Sequence, residues 1–368
     1  MANRRKKMDK VITVAIAGQG RSGWGIHVNS LRENKKFKIV AVADELPERR
    51  QQAIDELGCE AYCNYQELLE KGPAVDMFVN ATPSRFHVEA SMAALKSGKI
   101  KILVTEKPTA TTVAEFDMLV ETAQANNVLI YPFQNSRFYP VFNKIREIIN
   151  SGVLGRVFYI RTNWSGCGRR WDWQTRQDQK GGNLYNTGPH PVDQMVVLFG
   201  EEYPAVHAIF ESEHWGIGGD AENMALVRLY GPGRPTIDID ISSMQAYKIG
   251  NKYNVSGTCG GLIADADKIQ WRYYDPASTP KPEFWKPWSK DRQYCKEQLK
   301  WTEMTWSCAN NNKNENGFVE IVNLLYDDLY KVVTEGKEPE IKLEQVRRQV
   351  YVMEEAHKQN PLPQKPLE

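Results

Sequence analysis

Three short segments carry residues whose types and spacing do chemistry: Gly18-Gln19-Gly20-Arg21-Ser22-Gly23, Glu106-Lys107-Pro108, and Asn186-Thr187-Gly188-Pro189-His190-Pro191-Val192-Asp193. In the first, Gly18 permits a tight turn, Gly20 lets backbone approach a pyrophosphate, and Gly23 lets a helix pack on a strand. Arg21 and Ser22 complete the loop. The second segment supplies a lysine next to Pro108, which fixes its own φ and donates no hydrogen bond, so the lysine's backbone is restrained. The third supplies an imidazole, the natural proton acceptor near neutral pH. On a helix His190 and Asp193 share a face, so the carboxylate is placed to orient the other ring nitrogen, with Asn186 just before them. A phosphate-cradling loop facing a lysine and a histidine predicts hydride transfer coupled to proton transfer. No convincing set of metal ligands accompanies them, and none is expected.

The elements that must position these groups alternate in the first half of the chain. Val11 to Ala17 is continuously apolar and β-branched, as for a strand buried on both faces. The glycine loop follows it and opens a helix over 21–33, whose N-terminal N–H groups and dipole suit phosphates. Further strands are predicted over 38–43, 74–80, 100–105 and 128–132, with helices over 47–57, 87–96 and 112–126. This alternation implies a parallel, doubly wound sheet, the Rossmann arrangement. Ligands then lie outside the carboxyl ends of the strands. Asp44, Thr82, Pro83, Glu106 and Lys107 all fall at such ends, and His87 lies close to the same edge. A carboxylate at Asp44 suits the adenosine ribose hydroxyls and repels a 2′-phosphate, so NAD is expected over NADP.

After Pro140 the pattern changes. A helix over 141–150 precedes strands over 157–164, 205–210, 225–230 and 236–242, and the strict alternation of Thr236 to Ile241 buries one face only. The reading is a C-terminal α+β unit with a large, mostly antiparallel open sheet. An apolar stripe from Phe318 to Val332 is helical, and 343–358 reads as the last helix. Residues 275–316 read as long excursions without an assigned role. The domains are taken as 1–135 for nucleotide and 136–368 for substrate and oligomerisation. Between the first two strands of the second domain lie Trp164, Arg169, Arg170, Trp171, Trp173, Gln174, Arg176 and Tyr185. Flat apolar faces beside multidentate donors suit a polyhydroxylated ring, so Trp164, Arg169, Trp171, Trp173, Tyr185, Asn186 and His190 are expected to bind substrate.

The 368 residues balance 47 Lys and Arg against 46 Asp and Glu, for a formal charge of +1, which argues against a nucleic-acid partner. The basic run Arg4 to Lys7 reads as a solvated tail. It is not expected to be a twin-arginine leader, because the apolar run after it ends directly in the glycine loop without a cleavage site. No apolar stretch is long enough to span a bilayer, and the cysteines show no paired C-x-x-C units, so the cytoplasm is the default location.

Taken together, these motifs resemble the glucose-fructose oxidoreductase / inositol dehydrogenase / rhizopine catabolism (Gfo/Idh/MocA) family over about residues 11–355. The resemblance rests on Gly18 to Gly23, Thr82-Pro83 with His87, Glu106-Lys107-Pro108, and Gly182, Gly188, His190 and Asp193. It implies a two-domain, homodimeric or homotetrameric enzyme that oxidises or reduces a ring carbon of a sugar or cyclitol with NAD(P). It implies that Lys107 polarises or protonates the reacting oxygen, that His190 shuttles its proton, and that the Lys107–Pro108 bond is cis. The chain departs from the family at Asn186, where an aspartate often stands. An amide holds no negative charge to raise the histidine pKa. The rival expectations are a redox-neutral, NAD-retaining glycosidase or epimerase and a non-catalytic NAD-binding sensor.

Overall fold

The computed structural model describes residues 10–212, 218–281, 298–308 and 315–364. Six parallel strands form the first sheet: β1 (Ile12–Ala17), β2 (Phe37–Ala43), β3 (Glu60–Tyr62), β4 (Met77–Asn80), β5 (Ile102–Thr105) and β6 (Leu129–Pro132). Their order is β3-β2-β1-β4-β5-β6, so the winding reverses between β1 and β4 and opens a crevice at the carboxyl ends there. A π-helical turn over Gly23–Val28 runs into the short α1 (Asn29–Leu31), in place of the single helix expected over 21–33. The His27 amide reaches back to the Ser22 carbonyl at 3.0 Å, and this wide turn carries the His27 side chain into the interior.

The other helices have readable causes. α2 (Pro47–Leu57) starts with proline in its first turn and ends at Gly58 with φ +61°. α3 (Tyr65–Lys71) is capped by the Asn64 side chain. α4 (His87–Lys96) and α5 (Val113–Ala125) pack beside it, and α5 begins with a reciprocal Thr112–Glu115 capping box. The sequence reading passes over β3 and α3, which are too short to show a period.

The second sheet has eight strands: β7 (Val157–Ser165), β8 (Ala205–Glu211), β9 (Met224–Tyr230), β10 (Thr236–Ser242), β11 (Tyr253–Gly257), β12 (Gly260–Ala264), β13 (Lys268–Tyr273) and β14 (Thr302–Ser307). Their order is β14-β13-β12-β11-β7-β10-β9-β8, and only β7 and β10 run parallel. The sequence reading stops at β10. β11 and β12 are short and glycine-bearing, and β14 is exposed along most of its length, so none carries a clear alternation. β14 lies inside the stretch read as excursions, and residues 282–297 and 309–314 of that stretch fall outside the described residues. On β10, Ile237, Ile239 and Ile241 are buried, while Asp238 and Asp240 face the other way and pair with Arg228 and Arg161.

Helices α6 (Pro140–Asn150), α7 (Asn183–Asn186) and α8 (Pro189–Phe199) cover the buried face of this sheet. The last two helices, α9 (Glu315–Glu335) and α10 (Leu343–Gln359), return across the molecule. Val322, Leu325, Tyr326 and Leu329 of α9 are completely buried in the core of the first sheet. α10 gives Val346 and Val350 to that core, and Val352, Met353 and Ala356 to the second. A sequence split at residue 135 therefore separates segments that share one core. Each fully buried Leu or Val contributes about 1.5–3 kcal/mol, so this stripe ties the two sheets firmly. Among the described residues no helix is long and apolar enough to cross a membrane.

Candidate functional site

The glycine loop leaves β1 at the crevice. Gly18 has φ +87°, and a Cβ there would stand 2.4 Å from the Ala81 carbonyl oxygen. A Cβ on Gly23 would overlap the Gly18 carbonyl, at 1.7 Å. At Gly20 the nearest atom to a Cβ is the tip of Arg49, at 3.7 Å, so the loop is closed at its flanks and open at its middle. That is the shape a pyrophosphate needs. Asp44, at the end of β2, braces the loop: Oδ2 accepts from the Gln19 amide at 2.7 Å and lies 3.3 Å from Arg49, while Oδ1 accepts from the Leu46 amide at 3.0 Å.

Lys107 follows β5, and its bond to Pro108 is cis, as the family resemblance implies. Its amide donates to its neighbour, Glu106 Oε2, at 3.0 Å. Its Nζ crosses to the second unit and donates to the Asn186 carbonyl at 2.9 Å. Burial holds the Lys107 pKa below the ordinary lysine value. Glu106 opposes that shift, and Arg21 and Arg170 add to it.

Glu106 is buried and turned away from the crevice. Its Oε1 lies 3.3 Å from His27 Nε2, and His27 Nδ1 lies 2.7 Å from the Tyr326 hydroxyl of α9. Burial would raise its pKa, but His27 and Lys107 outweigh that and hold it down, to about 2. Glu106 is therefore an anion behind Lys107, not a surface for cofactor, and His27 is more than a packed core residue.

His87 is also buried. Its Nδ1 lies 2.8 Å from the Pro108 carbonyl and its Nε2 2.8 Å from the Thr82 carbonyl. It pins the Thr82-Pro83 turn to the Lys107-Pro108 turn. Thr82 Oγ1 in turn bonds Asn80 Oδ1 at 2.7 Å. His87 thus shapes the cofactor edge from behind instead of touching a ligand.

Asn186 and His190 meet Lys107 from α7 and α8. Asn186 Nδ2 donates to the Gln174 carbonyl at 2.8 Å, which anchors the site to the aromatic loop. Asn186 Oδ1 and His190 Nδ1 are buried and have no hydrogen-bond partner among the described residues. Leaving such an atom unpaired costs about 1–3 kcal/mol, a cost a ligand removes. Burial, then the Lys107 charge, pushes the His190 pKa down to about 3, so its ring is neutral at physiological pH.

Asp193 does not orient His190. Its carboxylate is completely buried and accepts from Arg137 Nε and, at 2.9 Å, from Arg137 Nη2. A buried carboxylate is tolerable only with such a partner, and the guanidinium fork supplies two parallel bonds. Arg137 continues to Gln345 at 2.8 Å, so the pair fastens α8 to the base of α10. Its role is in the fold.

The aromatic loop divides. Trp164, at the end of β7, stacks on His190 with ring centroids 5.9 Å apart and 21° between planes. Arg170 acts on Lys107 and bonds Asp172. Arg169 and Trp173 are exposed, and Trp171 is 81% exposed, so in this structure they stand in solvent. Tyr185 lies in the core, stacked on His357 of α10 at 4.0 Å and 7°, and is not part of a substrate surface. Its position in the sequence, within the aromatic loop, records nothing of this long-range packing.

Sequence reasoning misses Lys252. Its Nζ lies 3.6 Å from the centroid of the Trp164 ring, 5.6 Å from that of Tyr139 and 5.8 Å from that of Tyr253. Tyr139 and Trp164 are themselves near-parallel, 6.3 Å apart. Nothing local marks this lysine, which arrives from the turn before β11.

Known proteins resemble this chain in sequence and fold. Residues 12–133 match the model of an oxidoreductase family with an NAD-binding Rossmann fold, and residues 142–263 match the GFO/IDH/MocA C-terminal domain. A myo-inositol 2-dehydrogenase of Thermotoga maritima is 26% identical over 68% of this chain and 75% of its own. An NADP(+) scyllo-inositol 2-dehydrogenase of Bacillus subtilis is 28% identical over 53% of this chain and 54% of its own. The crystal structure of the WlbA dehydrogenase from Bordetella pertussis, in complex with NADH and UDP-GlcNAcA, superposes with a TM-score of 0.71 over 98% of this chain and all of that one, at 17% identity.

Proposed function

This chain belongs to the Gfo/Idh/MocA family of NAD-binding oxidoreductases, and we propose that it oxidises a ring hydroxyl of a sugar, sugar derivative or cyclitol. The reading is carried by one observation. Lys107 Nζ crosses from the first unit to the Asn186 carbonyl and its charge acts on His190, where Asn186 Oδ1 and His190 Nδ1 are buried without a partner among the described residues. The inositol dehydrogenases among its relatives support the substrate class.

NAD fits the chain's own residues: Gly18, Gly20, Arg21, Ser22 and Gly23 at the pyrophosphate, Asp44 at the ribose, and Thr82 and Pro83 toward the nicotinamide. When bound, it supplies the acceptor for the hydrogen that leaves carbon with its electron pair. The neutral His190 ring takes the hydroxyl proton. Lys107 donates a hydrogen bond to the same oxygen as it becomes a carbonyl. Glu106 holds a fixed negative charge behind the lysine and so favours its charged form. Trp164 offers its face to the C–H side of the ring, and Asn186 Oδ1 accepts from a neighbouring hydroxyl. Asp44 disfavours a 2′-phosphate, so NAD is the preferred dinucleotide over NADP.

The test is the absorbance of reduced nicotinamide on mixing protein, NAD⁺ and a panel of sugars, cyclitols and glycosides. The expected result is growth of the signal with one ring type. Silence across the panel would sink the dehydrogenase reading. If nucleotide stays bound and an aglycone is released without NADH, the redox-neutral reading takes its place.

A further inference from the structure

The unassigned lysine beside His190 bears on what the ring carries. Lys252 is partly buried, and its Nζ forms no hydrogen bond or ion pair among the described residues. The nearest carboxylate acting on it is Asp265, whose oxygens are committed elsewhere: Oδ1 accepts from the Lys252 amide at 3.1 Å and Oδ2 from Asn251 at 2.9 Å. Three aromatic rings surround the ammonium and give it partial compensation. Burial still pushes its pKa down to about 8, helped by the nearby Lys248 charge. A desolvated ammonium without a counter-ion is costly, and an incoming anion removes that cost.

The surroundings have the same sign. Lys252 and Lys107 both act electrostatically on His190, and Arg21 and Arg170 both act on Lys107. The carboxylates close by are occupied: Glu106 faces His27 and Asp172 faces Arg170. Arg21 belongs to the phosphate loop, which leaves Lys252 as a cation beside Trp164 without a carboxylate partner among the described residues.

We propose that Lys252 reads an anionic group on the substrate, so that the ring alcohol carries a carboxylate or a phosphate. The proposal rests on placing the reaction at His190 and Lys107. An ammonium is a point charge without the planar fork of a guanidinium, so it accepts either anion, and the source must be separated by experiment.

The experiment is calorimetric titration of the NADH-loaded protein with matched trios of hexuronate, hexose 6-phosphate and neutral hexose in gluco, galacto and manno configurations. A charge-assisted hydrogen bond predicts at least about tenfold tighter binding of one anion over its neutral partner. Preference confined to the uronate assigns a carboxylate, and preference confined to the phosphate assigns a phosphate ester. In Lys252→Met that ratio should fall about tenfold or more, and in Lys252→Arg it should persist. The arginine variant also guards against a fault in folding, since it keeps charge and ring contacts. Equal affinities within every trio, or a preference that survives in Lys252→Met, overturns the proposal. This binding readout needs no turnover. If NADH forms with a neutral ring while no anion is preferred, Lys252 fails and the dehydrogenase reading stands; if no ring is oxidised while the anion is preferred, the reverse holds.

Discussion

Behind Lys107, the buried charges have protein partners. Glu106 faces His27 and the Lys107 amide, His27 reaches Tyr326, and Arg137 grips Asp193. In front of Lys107, Asn186 Oδ1 and His190 Nδ1 are buried without partners among the described residues, where Lys252 Nζ likewise meets aromatic faces and no carboxylate. The two regions adjoin at Lys107. The difference teaches where positioning ends and binding begins. Polar groups that complete one another hold elements in place, whereas those left incomplete at the crevice are open to a ligand.

Substitutions should respect that division. Lys107→Ala, at the boundary, should cost about 10²- to 10⁴-fold in turnover while leaving the melting temperature near that of the wild type. Near-normal NADH formation in that variant would remove the lysine from the chemistry. Behind the boundary, Asp193→Ala strands a buried guanidinium and should lower unfolding stability by about 3–5 kcal/mol in urea titrations. Were it instead to lower turnover at unchanged stability, Asp193 would return to the catalytic side.

Glu222 tests the back of α7 through pH. It accepts from the Leu184 amide at 2.8 Å, and burial raises its pKa to about 7 from an ordinary 4.5. The raised value means the folded state favours the protonated form. That stabilisation is full below pH 4.5 and is lost as pH rises through about 7. The Glu222 contribution to the urea midpoint should therefore fall between about pH 4.5 and 7, and Glu222→Gln should flatten that fall. His190 and His357 act oppositely. Burial lowers them to about 3 and about 4, so the folded state favours their neutral forms and stability drains as pH falls below their ordinary 6.5.

Two smaller effects sharpen the comparison. Asn186→Asp places a negative charge beside His190 and should move the acidic limb of the kcat/KM profile upward by about one unit. An unmoved limb would mean that His190 is not the titrating base. Tyr326→Phe removes one bond behind the site and should cost about 0.5–1.5 kcal/mol of stability, with little change in KM for the ring substrate.

The sequence made much of this legible because the relevant signals are local. Val11 to Ala17, the glycine loop and the position of Asp44 are neighbours in the chain, and their strand-turn-helix context follows from period and turn chemistry. Lys107-Pro108 at the end of β5 and His190 near the start of α8 are likewise read from their own segments. β11, β12 and β14 escaped because short, glycine-bearing or two-sided exposed strands have no period to read.

Sequence alone determined which groups stand at the ends of which elements: glycines for phosphate, one lysine, one histidine and an amide in place of a carboxylate. Tertiary structure decided whom they face. Asp193 shares a helix with His190, yet a buried carboxylate takes the strongest available partner, and Arg137 comes from a separate turn over Asn135–Phe138. Tyr185 left the aromatic loop to stack on His357, and Lys252 arrived beside Trp164 from the turn before β11, the strand paired with β7 but about ninety residues further along the chain. Helical spacing fixes which side chains of one segment share a face. Which charge or ring lies opposite depends on packing between segments far apart in the chain, and no local period records it.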